Sequence, residues 1–159
     1  GLAEILLPYI LCKESSFFKP ELKYTSATEL REGNIIYYAE NLKTLEGNPW
    51  ATDKMESAEI FIDVPVKSNV NLAFYNGFQH PTKKYLYDYN SRAKDILIVN
   101  VSNKKSKSIC LKDIPEKQVI DITDIIMNEG EVAKIKIQIG SVYSGSKYKD
   151  LCIQSILLN

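Results

Sequence analysis

The sequence predicts a single all-β domain, built as a sandwich or a barrel of antiparallel strands. Many short apolar runs are separated by turn residues, and no clear helix pattern lies between them. Residues 133–139 alternate apolar and polar side chains with a period of two, which is typical of a sheet with one face in solvent. Helical periodicity is weak along the chain, so an all-β fold is favoured over a mixed one.

The individual strands are predicted from apolar runs that end at turn signals. Pro65 ends the first clear run, and Asn76-Gly77 ends the second. One short helix is expected around 36–42, with a helical turn around 122–128. The expected strands are 58–64, 70–75, 96–101, 108–112, 119–122, 133–139 and 151–158.

Length and composition limit the class of protein. A chain of 159 residues fits one domain, 1–159, in which we expect 1–23 to form an N-terminal strand or extension. A hydrophobic fraction of 45% excludes a disordered or collagen-like chain. The 20 basic and 20 acidic side chains cancel, so no nucleic-acid partner is expected. No apolar run approaches the roughly 20 residues of a membrane helix, so we expect no membrane span.

The cysteines are Cys12, Cys110 and Cys152, an odd number at wide spacing that matches neither a disulfide framework nor a zinc site. Cys110 and Cys152 lie in apolar, strand-like surroundings and are expected to be buried thiols. One disulfide bridge among the three cysteines remains the alternative.

The sequence contains no recognisable catalytic or metal site. Its one histidine, His80, precedes a proline in a predicted loop and has no acidic or thiol side chain near it in sequence. Asp121 and Asp124 flank Thr123 in a pattern more typical of a polar turn or helix cap than of a carboxylate pair. We therefore expect a protein that is not an enzyme, with no cofactor and no metal.

Two predicted loops are rich in side chains suited to recognition. The first combines Asn76 with Tyr87, Asn90 and Arg92. This combination suits recognition of a sugar, because tyrosine rings stack on sugars while Asn and Arg donate hydrogen bonds. A structural role for this loop is the alternative, in which Arg92 ties it down through backbone carbonyls or a carboxylate.

The second loop contributes Tyr143, Lys147 and Tyr148, which could stack on a ligand and supply a positive charge. Here too, a tyrosine-anchored connection is the structural alternative. Trp50 follows a Gly-Asn-Pro turn and is expected to fill the core rather than to bind a ligand. The predicted ligand-binding residues are Asn76, Tyr87, Asn90, Arg92, Tyr143, Lys147 and Tyr148.

These motifs resemble a known family. The residues that carry the resemblance are Asn76-Gly77-Phe78, the spacing Tyr87-x-x-Asn90-x-Arg92-x-Lys94, and the stretch 145–153. In this order they resemble the discoidin-like, or galactose-binding-like, family, which includes the translocation domain of secreted bacterial NAD-glycohydrolase toxins. The resemblance covers about residues 24–157.

The resemblance implies a jelly-roll β-sandwich with about eight main antiparallel strands that acts as a non-catalytic module outside the cytoplasm. It does not imply NAD hydrolysis, which belongs to a separate catalytic domain. From the resemblance we therefore expect a secreted or periplasmic protein. The chain starts at Gly1 rather than Met, so we expect that any leader has already been removed.

The sequence departs from the family pattern where related jelly rolls often hold calcium. Glu46 stands alone in a segment where the family usually has an acidic turn, and Ser155 replaces the family's glutamate. Because Ca²⁺ takes six to eight oxygen ligands, we expect no calcium.

The functional hypothesis is a recognition module that binds a glycan or a partner protein through loops at one end of the sandwich. A purely structural or assembly domain is the first alternative. A small hydrolase with an unrecognised site is the second. The sequence leaves the oligomeric state open.

Overall fold

The computed structural model describes residues 22–159, and within them the protein is an all-β sandwich with short helical segments. Two α-helices, α1 (Leu86–Tyr89) and α2 (Thr123–Ile126), and two 3₁₀ helices, Ala39–Lys43 and Met55–Ser57, lie between strands. The strands are β1 (Lys23–Thr25), β2 (Arg31–Glu32), β3 (Ile35–Ile36), β4 (Trp50–Thr52), β5 (Glu59–Pro65), β6 (Asn71–Asn76), β7 (Arg92–Ala93), β8 (Asp95–Asn100), β9 (Ser106–Cys110), β10 (Gln118–Asp121), β11 (Val132–Ile139), β12 (Val142–Tyr143) and β13 (Leu151–Leu158).

Two main sheets form the sandwich. One has five strands in the order β1-β5-β11-β8-β9, and the other has four in the order β10-β6-β13-β4. Neighbouring strands within both sheets are antiparallel. Two small ribbons, β2-β3 and β7-β12, complete the described strands.

The core lies between the two sheets and is formed mainly by branched aliphatic side chains. Along β5 and β11, buried residues alternate with more exposed ones, so each strand turns one face inward. Ile62 of β5 pairs with Ile135 of β11, and both are fully buried. Trp50 is also fully buried and donates its indole N–H to the carbonyl oxygen of Thr28 at 2.9 Å. The expectation that Trp50 fills the core is confirmed.

The prediction of an all-β sandwich is confirmed, and each of the seven expected strands is present. The two main sheets contain nine strands, which are the seven expected ones and the three-residue strands β1 and β4, which were not predicted. The helix expected around 36–42 is the 3₁₀ helix Ala39–Lys43, and the turn around 122–128 is α2. Two further helical segments, Met55–Ser57 and α1, were not predicted, since segments of three or four residues leave no periodic pattern.

The two cysteines within the described residues differ in exposure. Cys152 is buried in β13, as expected. Cys110 is exposed, so the prediction of a buried thiol there was wrong. Cys110 ends β9, an edge strand in which the neighbouring Ile109 turns toward the core instead. Both thiols are free, while Cys12 and most of the expected 1–23 extension lie outside the described part of the chain.

Candidate functional site

The two loops singled out in the sequence lie side by side at one end of the sandwich. The amide of Tyr148 donates to the carbonyl of Tyr89 at 2.8 Å, and the amide of Ser146 donates to the carbonyl of Asp88 at 2.9 Å. A third hydrogen bond, at 2.9 Å, joins the amide of Lys94 to the carbonyl of Ser141. The expected meeting of the two loops at a shared rim is therefore present.

Arg92 is buried and uses its guanidinium inside the protein. Its Nε donates to Oδ1 of Asp113 at 3.0 Å, and its Nη2 donates to Oδ2 at 2.8 Å. The other terminal nitrogen, Nη1, donates to the carbonyl oxygens of Tyr87, Asp88 and Asn90 at 3.0–3.3 Å. The structural alternative for Arg92, a tie to backbone carbonyls and a carboxylate, is the arrangement found.

Tyr87 belongs to the same network. Its hydroxyl donates to Oδ1 of Asp113 at 2.9 Å, and the Arg92 guanidinium lies 5.1 Å from the centre of its ring. Burial, together with the Asp113 carboxylate, raises the pKa of Tyr87. A side chain at Gly77, whose φ is +73°, would collide with the Tyr87 ring. The hydrogen bond to Asp113 and the close packing against Gly77 together fix the position of the ring.

The two predicted asparagines also have internal partners. Asn76 is fully buried, donates to the carbonyl of Ala93 at 2.7 Å and accepts from its amide at 2.9 Å. Asn90 is 6% exposed and donates to the carbonyl of Leu86 at 2.9 Å, which closes the end of α1. Both side chains shape the loop from within.

The second predicted loop is more open. Tyr143 is half-buried, and its hydroxyl donates to the carbonyl of Leu111 at 2.7 Å. Lys147 is exposed, with its ammonium 5.2 Å from the ring centre of Tyr89 and 5.5 Å from that of Tyr148. Tyr148 is 43% exposed and makes an edge contact with Tyr89. Lys147 and Tyr148 are thus available at the surface.

A cleft of about 410 Å³, the first cleft, opens beside these loops. Its walls are mainly apolar and aromatic, with an acid, an amine, an amide and an imidazole among them. Of the seven predicted ligand-binding residues, Tyr87 alone lines it. The lining residues are Leu45, Glu46, Gly47, Phe78, Gln79, His80, Pro81, Lys84, Tyr87 and Pro115.

Gln154 fixes the two loops that face each other across the first cleft. This fully buried side chain accepts from the amide of Gln79 at 2.8 Å. Its Nε2 donates to the carbonyls of Leu45 at 3.2 Å and Gly47 at 2.9 Å. Sequence reasoning did not select Gln154, although a glutamine inside the apolar run 151–158 was a usable signal.

His80 has a defined hydrogen-bonding state. Its Nδ1 accepts from the amide of Lys83 at 2.9 Å and from that of Thr82 at 3.2 Å. Because Nδ1 accepts both bonds, Nε2 is the ring nitrogen left to carry a hydrogen. His80 therefore offers one N–H donor at the boundary of the first cleft.

A second cleft of about 340 Å³ shares Phe78 and His80 with the first. Its walls combine three aromatic rings with two carboxylates. Two of the predicted residues, Asn90 and Tyr148, line it. The lining residues are Leu30, Glu32, Tyr37, Ala51, Phe78, His80, Lys83, Leu86, Asn90, Tyr148, Asp150 and Cys152.

The second cleft has a negative electrostatic character. The pKa of Asp150 is raised by burial and then by the neighbouring carboxylates of Glu32 and Asp53. Burial, followed by Asp150 and Glu32, raises the pKa of the Cys152 thiol well above its usual range. The hydroxyl of Tyr37 lies 3.5 Å from Oε2 of Glu32. Nearby carboxylates and burial therefore disfavour the ionised forms of Asp150 and Cys152.

No metal site is found within residues 22–159, where no three His, Cys, Asp or Glu side chains converge. In the same part of the chain, the helices are too short to cross a membrane.

Comparison with known proteins identifies the family. A family model described as the NAD glycohydrolase translocation F5/8 type C domain matches residues 21–159. None of the curated proteins matches the chain. The family description refers to a translocation domain and not to a catalytic one. Because the match spans all the described strands of the sandwich, the chain belongs to the NAD glycohydrolase translocation F5/8 type C domain family.

Proposed function

We propose that this domain is a non-catalytic recognition module that acts outside the cytoplasm and binds a glycan in the first cleft. The main support is the combination of aromatic walls and fixed polar groups in one cleft of a size typical for small ligands, roughly 300–1,000 Å³. Membership of a translocation-domain family supports both the non-catalytic role and the location.

The walls of the first cleft suit a sugar ring. Phe78 and Tyr87 provide aromatic surface, and Pro81 and Pro115 add rigid apolar surface. The C–H groups on one face of a pyranose pack well against such surfaces. The apolar lining gives the ligand an orientation as well as contact area.

Polar groups in the same cleft can recognise hydroxyls. The carboxylate of Glu46 can accept hydrogen bonds, while the ammonium of Lys84 and the Nε2–H of His80 can donate them. Gln154 holds the loops of the cleft in place before a ligand arrives, which lowers the entropic cost of binding. For one sugar unit in a solvated cleft we expect a dissociation constant of about 0.1–1 mM.

A glycan array followed by titration calorimetry tests this proposal. Phe78→Ala should weaken binding of the best array ligand about tenfold, and Lys84→Ala about threefold. Lys105→Ala is the matched control, because Lys105 is exposed in the β8–β9 turn, away from both clefts. The proposal fails if no glycan binds, or if Phe78→Ala folds normally and binds as well as the wild type.

A protein partner is a second candidate function, favoured by exposed aromatic side chains at the same rim. Tyr85 is 50% exposed, Tyr148 is 43% exposed, and Tyr89 contacts both rings. Tyrosines exposed in this way are enriched at protein interfaces. A double Tyr85→Ala, Tyr148→Ala variant that loses a partner but keeps the array ligand would favour this role.

Hydrolysis is the remaining rival, because the second cleft contains two carboxylates, Glu32 and Asp150. Two carboxylates flanking the bond are the minimum for most glycosidases, and the acid needs a raised pKa like that of Asp150. Incubation of the protein with array ligands and a reducing-end assay tests this rival. We expect no products, and products that disappear in Asp150→Asn would identify an enzyme.

A further inference from the structure

The first and second clefts are neighbours that share two lining side chains. Phe78 and His80 line both clefts, so a ligand that passes over these two side chains contacts both at once. Each cleft is large enough for one small-molecule unit by volume, at about 410 and 340 Å³. A glycan bound in the first cleft can therefore extend into the second.

The two clefts differ in chemistry. The first holds one carboxylate, Glu46, and one ammonium, Lys84. The second is lined by two carboxylates, Glu32 and Asp150, and by one ammonium, Lys83, with the imidazole of His80 beside them. Within residues 22–159, neither carboxylate of the second cleft makes an ion pair. A positively charged ligand group therefore meets an excess of negative charge there.

Aromatic rings in the second cleft also favour a cationic ligand. Tyr37, Phe78 and Tyr148 line the second cleft, and such rings attract an ammonium through their negatively polarised faces. The protein already shows this contact at Tyr148, whose ring centre lies 5.5 Å from the Lys147 ammonium. Rings and carboxylates in one cleft suit an organic cation better than a neutral sugar unit.

We infer that the second cleft is a subsite for a sugar unit with a free, protonated amino group, linked to the unit in the first cleft. This inference rests on the proposed function and adds a ligand class to it: glycans that contain a non-acetylated amino sugar. The ammonium would lie between the carboxylates of Glu32 and Asp150 and the ring of Tyr37.

Titration of the ¹⁵N-labelled chain, followed by NMR, tests the inference with monosaccharides. Glucosamine and galactosamine are compared with glucose, galactose and the two N-acetyl derivatives at low salt and about pH 6, where such amines are protonated. The amides of Glu32, Tyr37 and Asp150 report on the second cleft. At these amides, the amino sugars should bind about fivefold more tightly than the neutral sugars.

Two variants test the carboxylates separately. Asp150→Asn and Glu32→Gln should each remove most of the fivefold preference for the amino sugars over the neutral sugars. Glu32 lies in an exposed ribbon, so its variant keeps the test open if Asp150→Asn fails to fold. Asp124→Asn, an exposed change on α2, is the control for the loss of one negative charge.

The remaining outcomes distinguish failure of the amino-sugar inference from failure of the proposed function. Equal affinities for amino and neutral sugars would overturn the inference. If glucose or galactose still shifts the amides of Gly47, Phe78 and Gln79, the proposed function stands without it. If no sugar shifts any of these amides and the glycan array is also negative, the proposed function fails as well. Tighter binding of N-acetyl-lysine amide than of either amino sugar would show that the cation comes from a protein, which also overturns the amino-sugar assignment.

Discussion

Arg92 and Asp113, 21 residues apart in the chain, form a two-pronged ion pair with nitrogen–oxygen distances of 3.0 and 2.8 Å. The arginine side chain is almost fully buried, and the carboxylate is about one-third exposed. The pair joins the segment before β10 to β7, and the hydroxyl of Tyr87 binds the same carboxylate. The position of the Tyr87 ring beside the first cleft therefore depends on Asp113.

Replacement of Arg92 by lysine should destabilise the protein. Lysine keeps the charge but cannot donate two parallel hydrogen bonds to Asp113 and three more to backbone carbonyls. We expect Arg92→Lys to lower the free energy of unfolding by about 2–3 kcal/mol, measured by urea denaturation. Arg31→Lys, at an exposed position in β2, should change it by less than about 0.5 kcal/mol. Equal losses of unfolding free energy in the two variants would contradict a stabilising role for the paired hydrogen bonds of Arg92.

The contribution of Asp113 to stability should depend on pH. Its hydrogen bonds with Arg92 hold the pKa of the carboxyl below its ordinary value. A group with a depressed folded-state pKa stabilises the protein fully above its unfolded pKa, about 3.9, and loses this effect as the pH falls through the lower folded value. The difference in unfolding free energy between the wild type and Asp113→Asn should stay constant from about pH 7 to 5 and shrink below about pH 4. Urea midpoints across this range measure it, and a difference that persists undiminished at about pH 2 would contradict the ion pair.

The main strands were predictable because each has its own pattern. Residues 133–139 alternate along β11, and the apolar run 151–158 matches β13. The three-residue strand β4 was missed because its pairing with β13, rather than its own sequence, makes it a strand. Short strands depend on a partner that is remote in sequence.

The end of the sandwich that holds the loops was predictable, but the exposure of the individual residues there was predictable only in part. Lys147 and Tyr148 are exposed. Asn76, Asn90 and Arg92 were sound choices by chemistry, yet all three are buried with internal partners. The burial of Arg92 depends on Asp113, a contact that no local pattern reveals. The first cleft was missed for the same reason, because Gln154, which is remote in sequence from both, joins residues 45–47 to residues 78–81.

Gly145 should be intolerant of a side chain. A methyl group there would collide with the carbonyls of Tyr148 and Tyr89 and with the backbone of Asn90. Since backbone atoms cannot move aside cheaply, Gly145→Ala should cost about 2–3 kcal/mol of unfolding free energy. Gly130→Ala is the matched control, because nothing lies near that position, and it should be neutral or stabilise by up to about 1 kcal/mol. Thermal unfolding of both variants measures the contrast, and equal stabilities would mean that the two loops do not pack together.

The two described cysteines should differ in reactivity. Burial, with Asp150 and Glu32 nearby, raises the pKa of Cys152 and keeps it as the unreactive thiol. Cys110 is exposed at the end of β9. Iodoacetamide should therefore label Cys110 at least about tenfold faster than Cys152 in the folded protein, as followed by peptide mass spectrometry. In urea, where Cys152 is no longer buried, the two rates should become similar. Labelling of Cys152 at the rate of Cys110 without denaturant would contradict its burial.

Replacement of Gln154 by methionine should loosen the first cleft without changing any residue of its lining. Methionine is similar in size, but it cannot accept from the amide of Gln79 or donate to the carbonyls of Leu45 and Gly47. We expect a loss of about 1–3 kcal/mol of unfolding free energy and faster hydrogen exchange at the Gln79 amide. Gln138→Met, at an exposed position in β11, should leave both unchanged.

The same variant tests whether the position of these loops governs recognition. If it does, the affinity for the array ligand should also fall in Gln154→Met, because a ligand must then order the loops as it binds. Unchanged exchange at Gln79 would show that the glutamine does not hold the loop, and faster exchange with unchanged affinity would show that the ligand binds elsewhere.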